Sequence, residues 1–111
     1  MKYAMSNTFK RIQEPVNVRD IRISEHGYDE LSQDGIYLKD ILDSFNEAVL
    51  VEDYPDYPKG PCVLVLQKDH RGDPIHVIWG IPKGTDSPSV LVTAYRPNQG
   101  KWSEDFLRRR E

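Results

Sequence analysis

Two apolar runs separated by one short polar loop constrain the fold of this chain most strongly. Residues 63–66 and 75–79 are rich in β-branched and aromatic side chains, which favour strands. Residues 69–73 join the two runs, and their length and polar composition suit an antiparallel connection. The sequence therefore predicts a hairpin here, and residues 90–95 are predicted to form a further strand of the same sheet.

The residues before the hairpin show helical periodicity. Apolar side chains at the spacing i, i+3, i+4 and i+7 predict one amphipathic helix. This stripe consists of Leu38, Ile41, Leu42 and Phe45. A short strand at residues 21–23 is predicted to precede another helix, for which Ser24 is a suitable N-cap and Gly35 a suitable end. Residues 49–51 predict a strand that leads into a proline-stiffened loop.

The two ends of the chain receive different predictions. Residues 1–19 show no clean period, and Pro15 interrupts helical propensity there, so a flexible lead-in with a potential helical turn is expected. Ser103 is predicted to cap a C-terminal helix that carries Trp102 and Phe106 on one side. We therefore expect residues 20–111 to form a single α+β domain, with helices before a small antiparallel sheet and a C-terminal helix after it.

Size and composition exclude several classes of protein. A chain of 111 residues buries enough surface to fold as one domain without a disulfide or a metal ion. Cys62 is the only cysteine, which excludes an intrachain disulfide and a zinc site of paired cysteines and fits a reducing cytoplasm. The N-terminal residues lack the apolar core of a secretory signal, and no run approaches the ~20 apolar residues of a membrane span. A cytoplasmic protein without a membrane partner is expected.

Charge and motif content narrow the chemistry further. The net charge of −3 argues against a surface that attracts nucleic acid generally, so an RNA site would have to be local. The sequence contains no glycine-rich phosphate loop, no serine nucleophile elbow and no His-Glu-x-x-His spacing. We therefore expect neither a cofactor nor a metal site.

Two histidines are candidates for acid and base chemistry. His26 lies at the second position of a predicted helix, where the positive helix end disfavours protonation and suits a general base. His76 alternates with the apolar residues of its strand, so it faces the open side of the sheet, and Tyr95 flanks it if the strand register matches. The structural alternatives stay open: His26 hydrogen-bonds the helix start, and His76 belongs to an ordinary cross-strand pair.

The proline-stiffened loop supplies candidate substrate-binding residues. Tyr54 and Tyr57 would stack on exposed bases, and the amine of Lys59 would meet phosphate. The alternative is a rigid surface loop that covers an edge of the sheet.

Several ordered motifs taken together resemble a known family. They comprise residues 23–31, 34–36, 51–55, 74–77 and 92–97, with Trp102 after them. This pattern resembles domain-of-unknown-function family 4258 over residues from about 20 to 110. The family looks like a branch of the RelE/ParE-like toxin superfamily, whose members are small α+β proteins with helices before an antiparallel sheet, often encoded beside a short antitoxin.

The resemblance implies a toxin that cleaves mRNA or otherwise inhibits growth, with RNA and a small antitoxin protein as partners. Such enzymes need no metal, because they position RNA so that a ribose 2′-hydroxyl attacks the adjacent phosphate. On this chain the resemblance assigns the base to His26, the phosphate contact to Arg96 and the proton donor to His76 or Tyr95.

The chain also departs from the family pattern. Glu30 and Asp34 stand where many members carry arginines, and the net charge is negative whereas toxins of this superfamily are typically basic. A second class of function therefore stays open, namely a non-catalytic module that binds a protein partner through its sheet or its terminal helix.

Overall fold

The predicted strands pair into one mixed sheet with helices on one side. The computed structural model describes residues 6–110, and within them the strand order is β1-β5-β4-β3-β2. No described helix has the length and apolar character needed to cross a membrane. The α-helices and strands in chain order are α1 (Asn7–Asn17), β1 (Ile21–Ile23), α2 (Glu25–Asp34), α3 (Leu38–Ser44), β2 (Val49–Tyr54), β3 (Cys62–Lys68), β4 (Pro74–Gly80) and β5 (Ser89–Tyr95), and a 3₁₀ helix at Phe45–Glu47 follows α3.

The hairpin prediction is confirmed. Strands β3 and β4 are antiparallel, with Leu66 opposite His76 and Val63 opposite Trp79. Strands β2 and β5 add to the two sides of this hairpin, also antiparallel. The expected antiparallel sheet has one exception, because β1 pairs with β5 in parallel. The long connection that separates β1 from β5 allows this parallel pairing.

One face of the sheet carries the core. Val77 and Trp79 of β4 are fully buried on this face, against Ile41 of α3 and Ile12 of α1. Gln67 of β3 ties α3 to the sheet, since its amide nitrogen donates to the Ile41 carbonyl at 2.6 Å and its amide oxygen accepts from the Trp79 indole at 3.0 Å. The opposite face of the sheet has no helix described over it and is called the open face below.

Helix α2 has the ends that the sequence predicts. The Ser24 hydroxyl accepts a hydrogen bond from the Gly27 amide at 2.9 Å, and Gly35 ends the helix at a φ of 64°. A left-handed φ favours glycine because other residues pay a steric cost there. A Cβ at Gly27 would lie 2.9 Å from the Leu91 carbonyl oxygen, so this glycine lets α2 lie directly along β5.

Residues 7–17, which were predicted to belong to a flexible lead-in, form helix α1 instead. Pro15 lies inside this helix rather than ending it. The Ser6 hydroxyl accepts from the Phe9 amide at 3.0 Å at the helix start, and Ile12 and Val16 are fully buried. This apolar burial offsets the backbone hydrogen bond that proline cannot donate. Residues 1–5 of the predicted lead-in lie outside the described residues.

The predicted C-terminal helix is wrong. Residues 101–110, called the C-terminal segment, form turns closed by an antiparallel bridge between Trp102 and Arg109. The Ser103 hydroxyl donates to the Asp105 carboxylate at 2.6 Å instead of capping a helix. Phe106 has a φ of 62°, which a right-handed helix does not allow. The segment folds back on the open face instead.

Candidate functional site

His76 and Tyr95 lie opposite each other on β4 and β5. The Nε2 atom of His76 is 2.8 Å from the Phe106 carbonyl oxygen, and its Nδ1 atom is 3.2 Å from the Tyr95 hydroxyl. A carbonyl oxygen only accepts hydrogen bonds, so Nε2 carries the proton and Nδ1 accepts from Tyr95. The imidazole is therefore held in one tautomer by two partners.

The C-terminal segment covers this histidine. The Trp102 ring packs edge-on against the imidazole, with 4.4 Å between ring centroids, and His76 is fully buried. Burial lowers the pKa of His76 against the opposing effect of its hydrogen bond to Phe106. Burial also raises the pKa of Tyr95, which keeps its hydroxyl protonated as a donor.

An ion pair lies beside the histidine on the same face. The Arg109 guanidinium donates to both carboxylate oxygens of Glu52, at 2.7 Å through Nε and 3.1 Å through Nη2. The Tyr54 hydroxyl also donates to Glu52. These hydrogen bonds, from Arg109 first, hold the pKa of the Glu52 carboxyl below its ordinary value. Arg109 also lies over the Trp102 ring, 4.7 Å from its centroid.

These side chains form what we call the open-face cluster, which brings a carboxylate, a guanidinium, an imidazole and two phenols together. Such a set can move protons and stabilise an anion. Within residues 6–110 no group of three His, Cys, Asp or Glu side chains is arranged to hold a metal ion. The cluster consists of Glu52, Tyr54, His76, Tyr95 and Arg109.

The structure does not bring His26 and Arg96 to this cluster. His26 lies exposed on the first turn of α2. The Arg96 guanidinium is 2.9 Å from the Asp69 carboxylate, at the turn of the β3–β4 hairpin, and its backbone amide donates to Asp34 at 3.2 Å. Among the described residues, neither side chain forms a hydrogen bond or ion pair with the cluster. Of the four residues expected to act in catalysis, only His76 and Tyr95 are in contact.

The three predicted substrate-binding residues lie together. Tyr54, Tyr57 and Lys59 line a groove of about 530 Å³ on the open face. Tyr54 belongs both to this groove and to the cluster, so the two are adjacent. The rest of the groove is mostly apolar and is lined by Gly60, Cys62, Ile78, Gly80, Ile81, Pro82, Val90 and Val92.

Sequence reasoning missed Glu52 and Arg109. The prolines after Tyr54 favoured a loop from Asp53 onward, whereas β2 continues to Tyr54. The alternation of Glu52 with Tyr54 along a strand was the available signal. Arg109 belongs to a run of three arginines at residues 108–110, but its pairing with Glu52 depends on the fold of the C-terminal segment and could not be predicted.

A second histidine contact was also missed. The His70 Nδ1 atom is 2.8 Å from the carboxylate of Asp40, which is buried at the start of α3. The hydrogen bond from His70 lowers the pKa of Asp40 despite that residue's partial desolvation. This contact fixes the turn of the β3–β4 hairpin to α3.

The fold and the cluster define an α+β protein with helices on one sheet face and a polar cluster on the other. Residues 23–96 match the model of the family Domain of unknown function (DUF4258), and the chain belongs to this family. The matched residues include Glu52, His76 and Tyr95, whereas the C-terminal segment lies beyond them. Comparisons with curated proteins and with solved structures find no match.

Proposed function

We propose that this chain is a RelE/ParE-like toxin of a toxin–antitoxin module that cleaves RNA without a metal ion. The observation that carries the proposal is the contact set of the open-face cluster, in which Glu52, His76 and Arg109 lie on one sheet face. Metal-independent RNA cleavage requires a base, an acid and a cation near one phosphodiester. The family match alone does not supply this function, because one fold serves many activities.

In the proposed reaction Glu52 accepts the proton of a ribose 2′-hydroxyl, and the resulting oxygen attacks the adjacent phosphorus. Arg109 stabilises the charge on the phosphate through its planar fork of donors. His76 in its protonated form donates its Nε2 proton to the departing 5′-oxygen and is left as the neutral imidazole with its remaining proton on Nδ1, beside the Tyr95 hydroxyl. The products are a 2′,3′-cyclic phosphate and a 5′-hydroxyl. Exchange with water then returns Glu52 and His76 to their starting states.

The groove beside the cluster is the proposed site for a base of the RNA. Tyr54 and Tyr57 offer exposed rings on which a base stacks, and Lys59 offers a cation for the neighbouring phosphate. Stacking is tolerant of sequence, since every base has an aromatic face. A small antitoxin protein is the proposed partner that neutralises this site.

Cleavage of RNA in EDTA by matched variants tests the proposal. We expect Glu52→Gln and His76→Gln each to lower the rate at least about tenfold, the lower end for losing an acid or base. His70→Gln is the matched control, because it makes the same change at a histidine that contacts α3, away from the cluster. Each variant is first checked for an unchanged fold by circular dichroism.

Two results would overturn the assignment. A tenfold loss in His26→Gln with full activity in Glu52→Gln would return the role of base to His26. RNA left intact by the wild type, and by the Asp105→Ala variant described below, would exclude the nuclease. Binding to the product of a neighbouring gene would then favour the non-catalytic interaction module.

A further inference from the structure

The C-terminal segment occupies the atoms that the proposed reaction needs. The Phe106 carbonyl accepts the proton-bearing Nε2 of His76 at 2.8 Å. Arg109 engages both oxygens of Glu52. Trp102 packs on the imidazole and is itself almost fully buried. An RNA therefore has no access to His76 while the segment stays in this position, and the Glu52 carboxylate is already engaged by Arg109.

Most hydrogen bonds in the outer part of the segment are made within the segment itself, such as the one from the Ser103 amide to the Arg108 carbonyl at 2.8 Å. The Asp105 carboxylate accepts from the Ser103 hydroxyl at 2.6 Å and from the Leu107 amide at 3.1 Å. The Arg110 guanidinium donates to the Gln99 carbonyl at 2.7 Å. Phe106 adopts a backbone conformation that residues with a Cβ rarely adopt. Glu104, Asp105 and Arg108 of this turn are exposed, and exposed turns are the parts of a protein that open most readily.

We propose that residues 103–108 of the C-terminal segment are an intramolecular inhibitor of His76 and Glu52, and that this turn lifts away from His76 when an RNA phosphate replaces Glu52 as the partner of Arg109, which stays at the cluster. This inference rests on the proposed function and adds the regulation of the same site. The exchange is chemically balanced, because Arg109 keeps a bidentate anionic partner while the Glu52 carboxylate becomes free to accept a proton.

The environment of His76 fits the same sequence of events. Burial under the segment lowers the pKa of His76, so the closed form holds a neutral imidazole. Movement of Phe106 away from Nε2 would readmit water and remove the larger effect of burial together with the smaller, opposing effect of the Phe106 hydrogen bond, while the nearby Glu52 carboxylate favours the protonated ring. Opening would therefore both expose the acid and favour its protonated state.

Two variants that loosen the segment without touching the cluster test the inference. Asp105→Ala removes the acceptor of the Ser103 and Leu107 hydrogen bonds, and Arg110→Ala removes the contact to Gln99. The matched control is Glu104→Ala, which makes the same charge change as Asp105→Ala at the neighbouring exposed position. Hydrogen exchange of the Phe106 and Arg108 amides, whose acceptors on Ser103 are kept in both variants, reports opening, and cleavage of RNA in EDTA reports activity.

We expect Asp105→Ala and Arg110→Ala to exchange these amides faster and to cleave RNA about threefold to tenfold faster than the wild type, the effect of losing one or two modest hydrogen bonds. Glu104→Ala should match the wild type in both measurements. A non-cleavable 2′-deoxy oligonucleotide should speed exchange of the same amides in the wild type.

The outcomes separate this inference from the proposed function. Faster exchange with unchanged cleavage would overturn the inhibitor and leave the nuclease standing. Unchanged exchange in both loosened variants would also overturn the inhibitor, since the segment would not depend on these contacts. Faster exchange with no cleavage by any of the proteins would overturn the proposed function instead.

Discussion

Burial and hydrogen bonding together keep the His76 ring in its neutral form. Its two ring nitrogens have partners of opposite kind, the Tyr95 hydroxyl and the Phe106 carbonyl. A protonated ring would keep the Phe106 contact but would no longer accept from Tyr95. Because the ring is fully buried, its charged form would also lose the solvation that water provides.

These contacts predict how stability depends on pH. The pKa of His76 is lowered in the folded state by burial, with Tyr95, Glu52 and Arg109 as the facing groups. The unfolded chain therefore binds more protons below a pH of about 6.5, and the free energy of unfolding should fall as the pH drops through this value. The stability that comes from keeping His76 neutral in the folded protein should be fully present above a pH of about 6.5.

Urea unfolding between about pH 7.5 and 5.5 provides the measurement, with the wild type compared against His76→Gln. The difference isolates His76, because His26 and His70 are common to both proteins. The variant should lose stability less steeply as the pH falls. Parallel pH curves for the two proteins would mean that His76 titrates alike in the folded and unfolded states.

Two contacts of the open-face cluster differ in how far the sequence could predict them. Alternation along β4 and β5 was enough to place His76 and Tyr95 on the same face, and the register then made them neighbours. Glu52 and Arg109 are 57 positions apart in sequence, and their pairing depends on how the C-terminal segment folds. No local pattern encodes a contact of that kind.

Two neighbouring apolar side chains of helix α3 differ in burial, although they look equivalent in the sequence. The apolar stripe predicts that Ile41 and Leu42 pack alike, but Ile41 is fully buried whereas Leu42 is only partly buried at the edge of the core. We expect Ile41→Ala to lower the free energy of unfolding by about 2 to 5 kcal/mol, the range for truncating a buried aliphatic side chain.

Leu42→Ala is the matched variant for this measurement, since it removes a similar volume one position along the same helix. Its loss of stability in urea unfolding should be clearly smaller. Equal losses, or a larger loss at Leu42, would contradict the orientation of α3 against the sheet.

Local signals predicted some elements and not others. The cap at Ser24, the glycine at Gly35 and the hairpin are encoded within a few residues, so the sequence predicted them correctly. Helix α1 contains a proline and forms because Ile12 and Val16 pack into the core, which is a tertiary effect. Tertiary packing often overrides local propensity in this way.

The two faces of the sheet differ, because one carries the apolar core and the other carries the polar cluster. Helices α1 and α3 cover one face with a core built around Trp79. The other face carries the open-face cluster and the apolar groove, and the C-terminal segment covers His76 and supplies Arg109 to the cluster. The net charge of −3 leaves RNA attraction to local cations, of which Lys59 and Arg109 lie at this face. The proposed function depends on this face alone.

The most direct measurement of the central claim compares one RNA oligonucleotide with its all-2′-deoxy counterpart, incubated in EDTA with the Asp105→Ala protein. The proposed reaction uses the ribose 2′-hydroxyl as nucleophile and Glu52 as base. We predict cleavage of the RNA only, with 2′,3′-cyclic phosphate ends, and a loss of at least about tenfold when Glu52→Gln is added. Cleavage of both oligonucleotides, or cleavage that Glu52→Gln leaves unchanged, would contradict the account.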